Sequence, residues 1–285
     1  MASMQVNNTD ALQVLANLER VFRPEADRNE LLPTTAVEAS RPPSFGGWIA
    51  DEIVGEIIRG EIPSGAPIRE LDLAARFQTS RTPVREAIRM LAAYGLLDAY
   101  SHRSNIVREL TEHELAYISE ARLALEPPAG RLAAARMCEP VRSQLVALKD
   151  EVAEAASEDD RRRFFGLLTR VQYLKFSACG NGYLTTMYTS IAHNVARIWY
   201  LSVEDEEPLA RKAERLLIQA DAIIGGDPDV AAATVTTSIM HSWASLRRRF
   251  HDDPLPLPET IEALALQAGI EGVAQCVTKE PDRHN

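Results

Sequence analysis

The sequence predicts a mainly α-helical protein: an N-terminal winged helix-turn-helix followed by an antiparallel, all-helical bundle. Three observations carry this expectation. Apolar residues recur at helical spacing along most of the chain, and only one short stretch reads as paired strands. Glycines at 60, 95, 180, 182, 225 and 226 punctuate the periodic stretches. Arg81, Arg85 and Arg89 stand four residues apart, opposite Val84, Ile88 and Leu91, so one helix carries a guanidinium face and an apolar face.

The chain has 285 residues, room for two domains of roughly 100–200 residues each. With 46% apolar and 25% charged residues it has the composition of an ordinary globular protein. The net charge of −10 argues against indiscriminate adhesion to nucleic acid. Between Arg76 and Arg108, however, six arginines face only Glu86 and Asp98, which makes a local basic footprint. Cys138, Cys179 and Cys276 show no metal-type spacing and fit a reducing compartment. The start lacks the basic and apolar regions of a signal peptide, and no apolar run approaches the roughly 18 residues that span a bilayer. A cytoplasmic protein without membrane partners is expected.

Residues 1–45 form an extension. Leu12, Leu15, Leu18 and Phe22 predict a short amphipathic helix, packed on its own subunit or a dimer mate, with binding of a separate partner as the alternative, and residues 31–46 read as a linker. Residues 46–110 form the winged helix. Trp48, Ile49, Ile53 and Ile57 make the apolar stripe of its first helix, which Gly60 ends. A short helix over 70–77 and the turn Gln78-Thr79-Ser80 lead into the arginine helix, which Gly95 closes in a left-handed conformation. Two strands follow, 96–100 and 105–109, around the tip Ser101-His102-Arg103-Ser104. Thr111 to Glu114 is a capping box that opens the bundle, 111–270. Pro127-Pro128 is expected to break its first long helix, Glu139-Pro140 to start the next, and Pro254, Pro256 and Pro258 to precede a last short helix and a tail, 271–285. A helix buried on one side and lined with guanidinium groups on the other suits a DNA groove.

These residues carry a family resemblance. The string Ser80-Arg81-Thr82-Pro83-Val84-Arg85-Glu86-Ala87, within 68–88, resembles the winged helix of GntR-type bacterial transcription regulators. Glu120 to Glu126, through Ala133-Ala134, resembles the opening of the FCD effector domain of the FadR branch. The resemblance spans about residues 46–250. It implies a homodimer on a short palindromic operator, with the recognition helix in the major groove and the wing near the minor groove. Carried onto matching positions, it makes Arg81 and Arg85 contacts to bases or nearby phosphates, Ser80 and Thr82 contacts to phosphate, and His102 and Arg103 the wing contact. Arg89 stands between a DNA contact and an ion pair to Glu86 or Asp98. Where the family often has an arginine this chain has Leu71, for which Arg69 is the candidate substitute; the usual wing glycine is Ser104.

Many FCD domains hold a divalent metal on an aspartate and three histidines. Alignment on Gly180-Asn181 and Gly226-Asp227 places Leu168, Gln172 and Leu216 at three of those positions, and only His241 matches. No metal cofactor is therefore expected at that locus, while a site rebuilt from His113, His193 or His251 stays open. Arg122 matches an arginine that faces carboxylate ligands in the family, and Gln172, Asn194 and His241 are candidates to share an effector pocket with it. The alternatives are an i,i+4 pair of Arg122 with Glu126, a core role for His241, and a larger apolar ligand or none.

The acidic runs Glu204–Glu207 and Glu158–Asp160 read as solvated caps, and Arg161–Arg163 and Arg247–Arg249 as exposed faces or subunit contacts, with a second DNA contact as the alternative. Function is expected to be ligand-responsive, sequence-specific DNA binding, as a homodimeric repressor that is not an enzyme. Two alternatives stay open: a ligand-independent architectural dimer, and a helical enzyme with an accessory DNA-binding domain.

Overall fold

The computed structural model describes residues 8–22, 44–100 and 104–250. His102, Arg103, Cys276, His251 and the helix expected after Pro258 lie outside them. Helix α1 (Asn8–Phe22) comes first, then the winged helix of α2 (Phe45–Ile58), β1 (Pro67–Ile68), α3 (Glu70–Arg76), α4 (Arg81–Ala93), β2 (Leu97–Tyr100) and β3 (Ser104–Val107). The bundle follows: α5 (Glu112–Ala135), α6 (Glu139–Ser157), α7 (Arg161–Cys179), α8 (Gly182–Thr189), α9 (Ala192–Val203), α10 (Leu209–Gly225) and α11 (Pro228–Phe250).

The extension helix keeps its predicted apolar face, with Leu15 and Leu18 buried, and packs on α7 and α8 of its own chain. Helix α2 starts inside the stretch read as linker, because the Ser44 hydroxyl accepts from Gly47 N at 3.1 Å and caps it. Ile49, Ile53 and Ile57 of α2 and Val84, Ala87 and Leu91 of α4 lie in one core. Trp48 instead sits at the rim, 42% exposed, between the rings of Phe45 and Phe77. The sheet has one strand more than expected: β1, two residues long, pairs antiparallel with β3, giving the order β1-β3-β2.

The expected break at Pro127-Pro128 does not occur. α5 runs through both prolines, although a proline inside a helix costs about 3 kcal/mol through its missing donor and its ring clash together. The pair is held on both sides. Arg122 and Glu126 are bonded one turn before it, and Ala129, Gly130 and Ala133 pack after it. Gly130 lets α11 approach so closely that a Cβ there would lie 2.9 Å from Val235 Cγ2. The stretch after Gly180 also divides into two helices, α8 and α9, around Ser190-Ile191.

Two charged runs are less solvated than their composition suggests. Asp205 is buried, bonded to Lys212 and Ser245. Arg247 is buried beside Glu112 at 3.6 Å. Both lie where the ends of neighbouring elements meet, so burial there draws in a charge of opposite sign.

Candidate functional site

The first site is the outward face of α4. Gln78, at φ 49°, turns the chain between α3 and α4. Ser80 takes the N-cap position without a capping bond to its hydroxyl, whereas Thr111 Oγ1, in the expected capping box, accepts from Glu114 N at 3.2 Å before α5. Ser80, Arg81, Thr82, Arg85 and Arg89 are all exposed, and Val84, Ala87, Ile88 and Leu91 are buried behind them. An exposed helix N-terminus beside hydroxyls and guanidinium groups is a surface for phosphate oxygens.

Sequence spacing did not reveal how these arginines are held. Arg85 Nε donates to both carboxylate oxygens of Glu70, each at 3.0 Å, which links the two helices of the motif. Both carboxylates considered for Arg89 are engaged elsewhere. Glu86 accepts from Ser44 Oγ at 2.5 Å and Asp98 from Arg108 Nε at 2.9 Å. Arg69 is exposed just ahead of α3, and Leu71 after it is 61% exposed.

The second site is a cavity of about 590 Å³, its open mouth included, inside the bundle. Its lining includes Arg122, Gln172, Trp199, Lys212, Arg215 and Ser242. Of the four residues expected to share a pocket, Arg122 and Gln172 do. His241 is not in the lining, although its neighbours Ile239 and Ser242 are. Asn194 faces the other way: its Nδ2 donates to the carbonyl of Gly95 at 3.2 Å, in the winged helix. The residues aligned at metal positions, Leu168 and Leu216, line the cavity with Gln172. They do not fit a metal: leucine cannot ligate, Arg122, Lys212 and Arg215 repel a cation, and among the described residues no three His, Cys, Asp or Glu side chains converge.

At the cavity wall, which Glu126 also lines, Arg122 Nε donates to Glu126 Oε1 at 2.6 Å and Lys175 Nζ donates to Glu126 Oε2 at 3.0 Å. Lys175 was missed from sequence, where its only signal is a lone cation in an apolar run. Burial pushes the Glu126 carboxyl up, but Arg122 and Lys175 outweigh it and hold the group below the usual carboxylate range. Burial lowers Lys175 from its ordinary value, against the pull of Glu126. Two cations thus share one carboxylate. Arg122 Nη1 and Gln172 Oε1 are buried without a hydrogen-bond partner, and the Arg122 guanidinium lies 5.6 Å from the Trp199 ring centre.

Comparison with known proteins matches both halves. Residues 47–107 match the family described as bacterial regulatory proteins, gntR family, and residues 117–252 match the FCD domain. A probable D-xylose utilization operon transcriptional repressor of Paenarthrobacter nicotinovorans is 40% identical over 191 residues, 66% of this chain and 82% of that one. A gluconate operon transcriptional repressor of Bacillus licheniformis is 39% identical over 83 residues, 29% of this chain and 34% of that one. The fold is also that of Escherichia coli McbR/YncC, with a TM-score of 0.63 at 18% identity over 73% of this chain and 99% of that one. The guanidinium face of α4 and the helical bundle behind it therefore belong to a DNA-binding transcription regulator of the gntR family, in the FadR-type branch whose C-terminal half is an FCD effector domain.

Proposed function

We propose that this regulator is a homodimeric repressor of a short palindromic operator in the cytoplasm, controlled by a small carboxylate that binds beside Arg122. The reading gives the bundle a sensing role rather than turnover. One observation supports it above others: two buried cations share a single carboxylate, and Arg122 Nη1 is left without an acceptor at the cavity wall. An unpaired buried donor costs about 1–3 kcal/mol, more when charged, and an entering carboxylate removes that cost. Gln172 Oε1 adds an acceptor for a ligand hydroxyl. The repressor role is supported by the relatives, which are operon transcriptional repressors.

The test is a thermal-shift screen of the full chain against small mono-, di- and hydroxycarboxylates, with neutral sugars as the contrast. A carboxylate at 100 times its dissociation constant raises stability by about 2.7 kcal/mol. The same compound leaves Arg122→Met unchanged. Stabilisation by neutral compounds alone, or equal stabilisation of Arg122→Met, contradicts the assignment.

A further inference from the structure

Helix α9 touches both sites. His193, Asn194 and Arg197 occupy one side of it, and Trp199, Ser202 and Val203 line the cavity. At 3.6 residues per turn these two sets fall on opposite faces. The first face grips the winged helix at several points. The His193 ring stacks on Tyr94 at 4.0 Å, and Asn194 Nδ2 reaches the Gly95 carbonyl, both just beyond the recognition helix α4. Gly95 has φ 69°, and a Cβ there would lie 3.3 Å from Asn194 Nδ2, so this approach needs a glycine.

Arg197 makes the remaining attachments. Its Nη2 donates to Ser64 Oγ and to the Arg108 carbonyl, both at 3.0 Å, and its Nη1 to Asn194 Oδ1 at 3.3 Å. Ser64 precedes β1 and Arg108 follows the antiparallel β3, so the two lie side by side and one guanidinium ties α9 to that end of the wing sheet. The group is 5% exposed, and burial with Arg108 nearby lowers its pKa to about 10. A buried guanidinium that bonds only neutral acceptors is costly to keep, and each of its bonds depends on the position of α9.

We propose that α9 transmits occupancy of the cavity to the recognition helix, with Arg197 as the positioning residue that carries the transfer. On the cavity side, Trp199 rests against the Arg122 guanidinium. A ligand that takes Arg122 Nη1 re-seats that guanidinium, and close packing passes the displacement to α9 rather than absorbing it. On the other side, the displacement alters the Arg197, Asn194 and His193 attachments together. The two recognition helices of a dimer must match a fixed half-site spacing, so a small rotation of each winged helix changes operator affinity.

The experiment needs no effector. The probe is a duplex selected by the full-length protein from a random-sequence pool, and affinity is read by fluorescence anisotropy. Ser202→Phe places a wedge on the cavity face of α9, Arg197→Met cuts the attachment, and the double variant closes the cycle. The wedge alone shifts the apparent Kd at least fivefold. In the Arg197→Met background the same wedge shifts it less than twofold. Arg197→Met itself weakens binding to the selected duplex while binding to a random-sequence duplex stays within twofold, a split that a purely structural role would not produce. Equal wedge effects in both backgrounds, no effect in either, or parallel loss on both duplexes overturns the proposal. If circular dichroism shows Arg197→Met unfolded, Asn194→Ala and Ser64→Ala run the same cycle under the same criteria, and Ser202→Leu serves as a smaller wedge. The inference rests on the ligand-gated reading above but fails separately from it. An additive cycle in a protein that answers carboxylates overturns the lever alone, and a coupled cycle in a protein that answers none overturns the effector class alone.

Discussion

Arg122 Nε and Glu126 Oε1 lie 2.6 Å apart, with side chains 3% and 1% exposed, and Lys175 holds the other oxygen of the same carboxylate. The three do not contribute alike. Removing the carboxylate leaves two buried cations facing each other. Removing Arg122 leaves a neutral Glu126–Lys175 pair. Glu126→Gln is therefore expected to cost about 3–5 kcal/mol in urea unfolding, and Arg122→Met less than about 1 kcal/mol. Equal losses would contradict the view that this cluster carries one positive charge in excess.

His193 makes the interface between the domains sensitive to acid. Burial pushes its pKa from 6.5 down to about 3, its Nδ1 has no partner, and its ring stacks on Tyr94. The folded state therefore holds the ring neutral where the unfolded chain protonates it. This contribution is complete above pH 6.5 and is lost as pH falls from 6.5 toward 3. At pH 5 the loss is about 2 kcal/mol, from 1.36 kcal/mol per unit. Glu126 has a lowered pKa, so its contribution is lost only as pH falls below the ordinary carboxyl value of 4.5, and it stays nearly constant between pH 7.5 and pH 5. Urea unfolding at pH 7.5 and pH 5 checks this with His193→Phe, which keeps the stack and is expected to remove about 2 kcal/mol of the difference between the two pH values.

On the DNA face, Arg85 and Glu70 make separable predictions. Arg85→Ala is expected to cost about 1–3 kcal/mol per half-site on a selected duplex, read by anisotropy, with the circular dichroism spectrum unchanged. Their ion pair is solvated, the Arg85 side chain being 55% exposed, so it orients the arginine more than it stabilises the fold. Glu70→Gln removes one negative charge from this face. It is expected to tighten binding to random-sequence DNA and to narrow the gap between selected and random duplexes. Arg89→Ala is expected to lower the slope of log affinity against log salt by about one per protomer.

The helix α4 was legible in the sequence because its information is local: three arginines at four-residue spacing, a buried face opposite, and hydroxyls at its start. The bundle was legible for the same reason, from periodicity and glycine punctuation. What sequence missed is set by distant partners. The Pro127-Pro128 pair signals a break, and only the packing of Gly130 against Val235 and the buried Glu126 cluster explain why the helix continues. Strand β1 has two residues, too few for any periodicity, and exists because β3 offers it an edge. Asn194 reads as a polar group inside an apolar bundle. Its partner is the Gly95 carbonyl, 99 residues earlier, and helical phase alone does not say which face of α9 meets which neighbour. Lys175 and Glu126 are 49 residues apart, so neither predicts the other.

Close approach at Gly130 gives a packing test. The Cβ of an alanine meets Val235 Cγ2, the end of a side chain that can turn aside, with the Ala231 carbonyl at 3.4 Å. A larger side chain has to push α11 away. Gly130→Leu is expected to destabilise by about 1–3 kcal/mol, and Val235→Ala in the same chain to recover part of that loss, both read from urea midpoints.

The measurement that bears most directly on the account is anisotropy of the selected duplex titrated with wild-type protein and with Arg122→Met, each in the presence of a panel of small carboxylates. For the wild type, at least one carboxylate is expected to change the apparent Kd by tenfold or more, within the usual range of coupling between two sites. For Arg122→Met, ligand-free affinity is expected to stay within twofold of wild type and no carboxylate to change it. A carboxylate response that persists in Arg122→Met, or a response only to neutral compounds, would contradict control of DNA binding through this buried arginine.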